Sequence, residues 1–134
     1  MKNIFNFILL ALSLSSCTLF ETPLYEESAS VLSGSFYADS FLIEEKGAYT
    51  AEFSSDYNAD MICFMDREGM ELFADSGLLY SEKMFFPLVF ENSFYEYEDF
   101  YIDTDMKYIY YVIDNRDYIS VPLGNINFTL KIIK

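Results

Sequence analysis

The side chains best suited to covalent chemistry in this chain are two cysteines, and the sequence contains no histidine to activate them. Cys17 follows Ser15 and Ser16, whereas Cys63 lies alone in an apolar run. Without histidine, Ser-His-Asp and Cys-His nucleophilic systems and ordinary zinc sites are excluded for this sequence. We therefore expect a protein that is not an enzyme and binds no cofactor. Cys63 is expected to be a small core residue.

The segment before Cys17 has the composition of a secretory signal. Lys2 supplies a positive charge and is followed by an apolar run over residues 4–14. A run of about 11 residues is too short for the roughly 20 that cross a bilayer, but it fits the apolar region of a signal peptide. Residues 1–16 are therefore predicted to be a signal-peptide helix.

Leu14-Ser15-Ser16-Cys17 resembles the lipobox of bacterial lipoprotein precursors. In that family the cysteine thiol receives a diacylglycerol, and cleavage before the cysteine makes it the mature N-terminus. The resemblance therefore implies a palmitate-bearing lipid anchor at Cys17 and a protein held to the membrane of the cell envelope. Thr18 is not the aspartate that retains many such proteins at the inner membrane, which favours the outer membrane or the cell surface.

The charge of the chain limits its partners. Loss of residues 1–16 leaves 118 of 134 residues and changes the net charge from −14 to −15, because Lys2 is removed. Such a chain repels nucleic acid and anionic lipid headgroups, so we expect the lipid chains to hold it to the membrane. A basic protein partner remains open. Twelve tyrosines and 14 phenylalanines indicate a folded domain rather than a disordered acidic tail.

Apolar residues recur at every second position over most of the chain, which is typical of half-buried strands. We predict an all-β fold, an antiparallel β-sandwich of jelly-roll-like form over residues 36–134. Residues 17–35 are predicted to be the lipidated N-terminus and a flexible tether, in which a short helix over 25–32 is an alternative. Residues 66–69 are predicted to be a hairpin turn. Strands are expected at residues 41–43, 49–53, 61–65, 70–74, 94–102, 108–113, 118–121 and 126–132.

Residues 47–50, 60–66 and 124–130, together with Gly69, resemble bacterial pre-peptidase C-terminal domains. That resemblance implies a jelly-roll-like, non-catalytic accessory module. This chain departs from the family because the sequence shows no enzyme upstream of the module.

Two alternatives rest on the acidic residues. Asp56, Asn58 and Asp60 match the spacing of oxygen ligands that opens a calcium loop, although Met61 and Arg67 occupy the positions that need glycine and glutamate. A looser calcium site at these three residues, in a calcium-stabilised adhesion-type module, is therefore one alternative. A carboxylate-based hydrolase, or its accessory subunit, is the other.

The segment from residue 91 to residue 105 is the most unusual in composition, with six acidic residues and no basic one. If it is a strand, its tyrosines face one side and two glutamates face the other. Exposed tyrosines are good contact residues, so the segment is a candidate interface for a basic partner. The ordinary interpretation, which we favour from the sequence, is that the tyrosines cover the edge of the core and the acidic residues are solvated. The candidate interface consists of Tyr95, Glu96, Tyr97, Glu98 and Tyr101.

Overall fold

The computed structural model describes residues 22–77, 89–116 and 124–134, except for the side chains of residues 90, 92 and 93. Six strands and one helix make up these residues. In chain order they are β1 (Tyr25–Val31), β2 (Phe36–Ile43), β3 (Gly47–Phe64), α1 (Arg67–Ser76), β4 (Val89–Ile102), β5 (Lys107–Asp114) and β6 (Ile126–Ile133).

All the strand pairs are antiparallel, and the prediction of an all-β antiparallel fold is confirmed. The strands form one sheet in the order β1-β6-β3-β5-β2, and β4 pairs with β3 on the other side. The sheet is therefore continuous through β3 and nearly closed.

β3 belongs to both halves of the sheet. Its first half pairs with β6 from Thr50 to Ser55, and its second half pairs with β5 from Asp60 to Phe64. The register to β4 shifts between Ser54 and Ala59, and such an irregularity bends a strand. The sheet thus folds over itself, and its two halves enclose one core as the layers of a sandwich do.

Aromatic contacts between the two halves show where the core lies. Tyr25 of β1 packs on Phe41 of β2 with 5.3 Å between the ring centroids, and Tyr37 of β2 packs on Phe128 of β6 at 5.2 Å. The hydroxyl groups of Tyr25 and buried Tyr111 are 2.7 Å apart and share a hydrogen bond. Burial raises the pKa of Tyr25 to about 12, and it raises that of Tyr111 further. Both hydroxyls therefore stay protonated at neutral pH.

The predicted hairpin turn at residues 66–69 and strand at 70–74 were wrong, because this stretch is α1. Asp66 is the N-cap and accepts a hydrogen bond from the backbone N–H of Gly69 at 2.6 Å. Gly77 ends the helix in the left-handed conformation, with φ 66°. Phe73 packs on Phe64 and Val112, so α1 covers the outer side of β3 and β5.

The predicted tether and its alternative, a short helix, were both wrong for Tyr25–Val31, which form β1 against β6. Exposure alternates along this strand, and Tyr25, Ala29 and Val31 turn towards the core. Small residues such as Ser28 fit an edge strand as well as a linker, which is why composition misled the prediction.

Several predictions lie outside the described residues. They are the signal peptide at residues 1–16, the lipidated Cys17 and the strand at 118–121.

Candidate functional site

The five predicted interface residues lie on β4, which confirms that this segment is a strand. Tyr95, Tyr97 and Tyr101 alternate with the glutamates and share the outer face of the sheet, opposite Ser54, Glu52 and Ala48 of β3. We call these three residues the tyrosine face. Their side chains are 54%, 67% and 67% exposed, respectively. They therefore do not cover the edge of the core, and the interpretation that we favoured from the sequence was wrong for these tyrosines.

Glu96 and Glu98 lie on the opposite face of β4. Further along the strand, this face contacts the core. They lie across from Phe53 and Ala51 of β3, yet both glutamates are exposed. Phe100 and Ile102, at 6% and 4% exposure, fill the core instead. The structure thus brings the tyrosines together on one face and places the two glutamates on the other.

Glu52 of β3 belongs to this surface, although the sequence analysis did not find it. The Tyr95 hydroxyl donates to Glu52 Oε1 at 3.3 Å, and the nearby carboxylate raises the pKa of Tyr95. On the same face Thr50 donates to Asp99 at 2.5 Å. Only cross-strand pairing reveals these contacts, because Glu52 is 43 residues from Tyr95 in the chain.

Within the described part of the chain, β4 pairs with β3 alone. Its other edge therefore offers backbone N–H and C=O groups next to the tyrosine face. Acidic residues line this strand and the turn that follows, and no lysine or arginine occurs from residue 91 to residue 106. An edge of this kind suits an extended partner with positive charge.

Among the three calcium candidates, Asp56, Asn58 and Asp60, the carboxylate of Asp56 is already engaged in hydrogen bonds. Both carboxylate oxygens of Asp56 accept hydrogen bonds from Asn127, one from its backbone N–H and one from its side-chain amide, each at 2.7 Å. These bonds lower the pKa of Asp56 and fix the start of β6. Asn58 is exposed and Asp60 half-buried. The described residues contain no group of three His, Cys, Asp or Glu side chains placed to hold a metal ion.

A shallow depression of about 420 Å³ lies beside Asp56 on the outer face. The sequence analysis did not predict it, because β1, β3 and β6 contribute to it from distant parts of the chain. The hydroxyl groups of Ser28 and Thr129 share a hydrogen bond at 2.8 Å, and the Ser55 hydroxyl donates to the Tyr57 carbonyl. The residues around it are Ser28, Ala29, Ser54, Ser55, Asp56, Asn127, Phe128 and Thr129.

Cys63 is fully buried in the core, as predicted. Burial raises the pKa of its thiol well above the ordinary value, so the thiol stays protonated and unreactive at neutral pH.

The chain matches no protein-family model, and a comparison with curated proteins finds no significant similarity. None of the helices in the described residues has the length and apolar character needed to cross a bilayer.

Proposed function

We propose that this protein is a lipid-anchored, non-catalytic binding module of the cell envelope, attached through Cys17. We further propose that β4 is its contact surface for a basic protein partner. One observation carries the proposal: three tyrosines more than half exposed share one face of an acidic strand.

The physical character of β4 supports a role in binding. Tyrosine offers a large, rigid and amphipathic contact area at low entropic cost, and the strand already holds these side chains in place. The surrounding carboxylates attract a basic surface and exclude acidic competitors. Among the described residues β4 pairs with β3 alone. An extended segment of the partner can therefore pair with the other edge of β4, and backbone hydrogen bonds then add to the side-chain contacts.

The roles of the other acidic residues support a non-catalytic module. Asp56 holds β6, Asp66 caps α1, and Asp114 pairs with Arg116. Each of these carboxylates stabilises the fold through the contact named.

Cross-linking in intact cells tests the contact surface. We expect the double variant Tyr97→Ser/Tyr101→Ser to lose cross-linked partner by about tenfold or more, since exposed tyrosines at interfaces often contribute over 1 kcal/mol. Tyr57→Ser is the matched control, because Tyr57 is 55% exposed but lies outside β4. We expect it to retain the partner.

The same cross-linking experiment, with charge-reversal variants, tests whether the acidic residues of β4 attract the partner. Glu98→Lys and Asp75→Lys change the net charge equally, but only Glu98 lies on β4, while Asp75 is exposed on α1. We expect Glu98→Lys to weaken the cross-link and Asp75→Lys to leave it unchanged. Equal cross-links in every chain, or none in the wild type, would contradict β4 as the contact surface.

A further inference from the structure

The first strand limits how far the domain can stand from its anchor. β1 begins at Tyr25, and the backbone N–H of Leu24 already donates to Ile132 of β6 at 2.8 Å. Only residues 18–23 therefore separate Cys17 from Leu24, the first residue bonded to the sheet. The seven Cα–Cα steps from Cys17 to Leu24 span at most about 25 Å when fully extended. If Cys17 carries the proposed lipid, the end of the sandwich at which β1 begins must lie close to the bilayer.

We define this anchor end by Leu24, the β2–β3 turn (residues 44–46), the β4–β5 turn (residues 103–106) and Lys134 after β6. Hydrogen bonds join its parts. The Lys46 N–H donates to Asp105 Oδ1 at 2.8 Å, and the Met106 N–H donates to the Glu44 carbonyl at 3.1 Å. Lys134 forms an ion pair with Glu45. The two turns and the end of β6 thus form one connected surface.

Large apolar side chains are exposed at the anchor end. Leu24 is 56% exposed and Met106 is 64% exposed. Met106 also has φ 54°, a left-handed conformation that a residue other than glycine seldom adopts. Tyr108, two residues further along at the start of β5, is 51% exposed. Such residues pack favourably at the boundary between lipid headgroups and acyl chains.

The lysines of the described residues are concentrated at the anchor end. Every lysine in the described part of the chain lies at the anchor end or within three residues of it along the chain. These lysines are Lys46, Lys107, Lys131 and Lys134. The described arginines lie elsewhere, Arg67 on α1 and Arg116 after β5. Lysines offset the acidic residues of the two turns, so the anchor end repels anionic headgroups less than the rest of this strongly negative domain does.

From this placement we infer that the anchor end docks on the bilayer surface, with Leu24, Met106 and Tyr108 in the interfacial region and the lysines at headgroup level. The inference rests on the proposed anchor at Cys17. Docking of the anchor end holds the domain in one orientation, with the opposite end directed away from the membrane.

Tryptophan fluorescence tests the docking, because the chain contains no tryptophan of its own. Protein extracted from cell membranes is reconstituted into vesicles of neutral and anionic phospholipid, with or without brominated acyl chains that quench tryptophan. One variant is Tyr108→Trp. The matched control is Tyr57→Trp, because Tyr57 is 55% exposed and lies at the other end, beside the Asp56 contact with β6. We expect quenching in Tyr108→Trp to be about twofold or more that in Tyr57→Trp, since quenching requires contact with lipid.

A second variant tests the apolar contact without harming the fold. Met106→Gly removes the side chain and also suits the left-handed backbone. In the Tyr108→Trp protein we expect it to lower quenching by about half. Vesicle flotation separates the two proposals. Protein that floats but shows equal quenching at both positions overturns the docking alone, whereas protein that does not float overturns the anchor and the docking together.

Discussion

At the residue scale, the acidic side chains of this protein serve different purposes. Asp56 and Asp66 accept backbone hydrogen bonds and fix the start of β6 and of α1, respectively. Glu96 and Glu98 are exposed on β4. The sequence shows only that acidic residues are abundant, and spacing alone left a calcium site at Asp56, Asn58 and Asp60 as an alternative. The bond between Asp56 and Asn127 joins residues 71 positions apart, so local spacing could not reveal it.

The Asp56 contact predicts a pH-dependent contribution to stability. Hydrogen bonds from Asn127 lower the pKa of Asp56 below its ordinary value of 3.8. The ionised group therefore stabilises the fold at pH values above 3.8, and this contribution is lost as the pH falls through the lowered value in the folded chain. We expect Asp56→Asn to reduce the free energy of unfolding by about 0.5–1 kcal/mol at pH 7, because solvent screens this exposed site.

Urea unfolding at pH 7 and pH 3 measures this effect. The difference between wild type and Asp56→Asn should shrink at pH 3, while the exposed α1 residue in the control Asp75→Asn should show little difference at either pH. A difference for Asp56→Asn that is the same at both pH values would show that the charge of Asp56 is not involved.

At the element scale, alternation of apolar residues predicted β2, β5 and β6 because each of these strands has one buried face. It also predicted β4, although only Phe100 and Ile102 are buried among the described side chains of that strand. α1 was missed because Met70, Leu72 and Ala74 also alternate, and glycine at position 69 suggested a turn. Two helix signals were present in the sequence, an aspartate N-cap and a glycine three residues after Ala74. β1 was missed because its pairing with β6 connects residues about 100 positions apart.

Arg116 attaches α1 to the sheet. Its guanidinium group makes two hydrogen bonds to Asp114, at 2.8 and 3.0 Å, and donates to the Ala74 carbonyl at the end of α1 at 2.5 Å. The same group lies 4.6 Å from the ring centroid of Phe36 and 5.3 Å from that of Phe73. One side chain thus connects α1, β2 and the end of β5.

We expect Arg116→Ala to lower the free energy of unfolding by about 2–4 kcal/mol, because buried Asp114 would lose its partner. Arg67→Ala is the matched control. Arg67 pairs with Glu71 on the exposed side of α1, and such pairs contribute at most about 0.5 kcal/mol. Urea denaturation measures both. Equal losses for the two variants would show that Arg116 does not hold α1 in place.

At the scale of the whole molecule, the sandwich arises from one bent sheet. The sequence predicted an all-β domain, but it could not reveal that β3 pairs with β6 along its first half and with β5 along its second. The same limit applies to the candidate surface. Alternation along β4 predicted the tyrosine face, whereas its exposure depends on which strands lie beside β4. The order of strands also determines which turns and side chains surround the start of β1.

The anchor at Cys17 is the central claim, and replacing this cysteine tests it most directly. Cells that express wild type, Cys17→Ala or the neighbouring control Thr18→Ser are labelled with radioactive palmitate and separated into membrane and soluble fractions. We predict that wild type and Thr18→Ser carry the label and sediment with membranes, while Cys17→Ala is unlabelled and no longer held there by a lipid. Palmitate on Cys17→Ala, or membrane fractionation identical to that of wild type, would contradict the account.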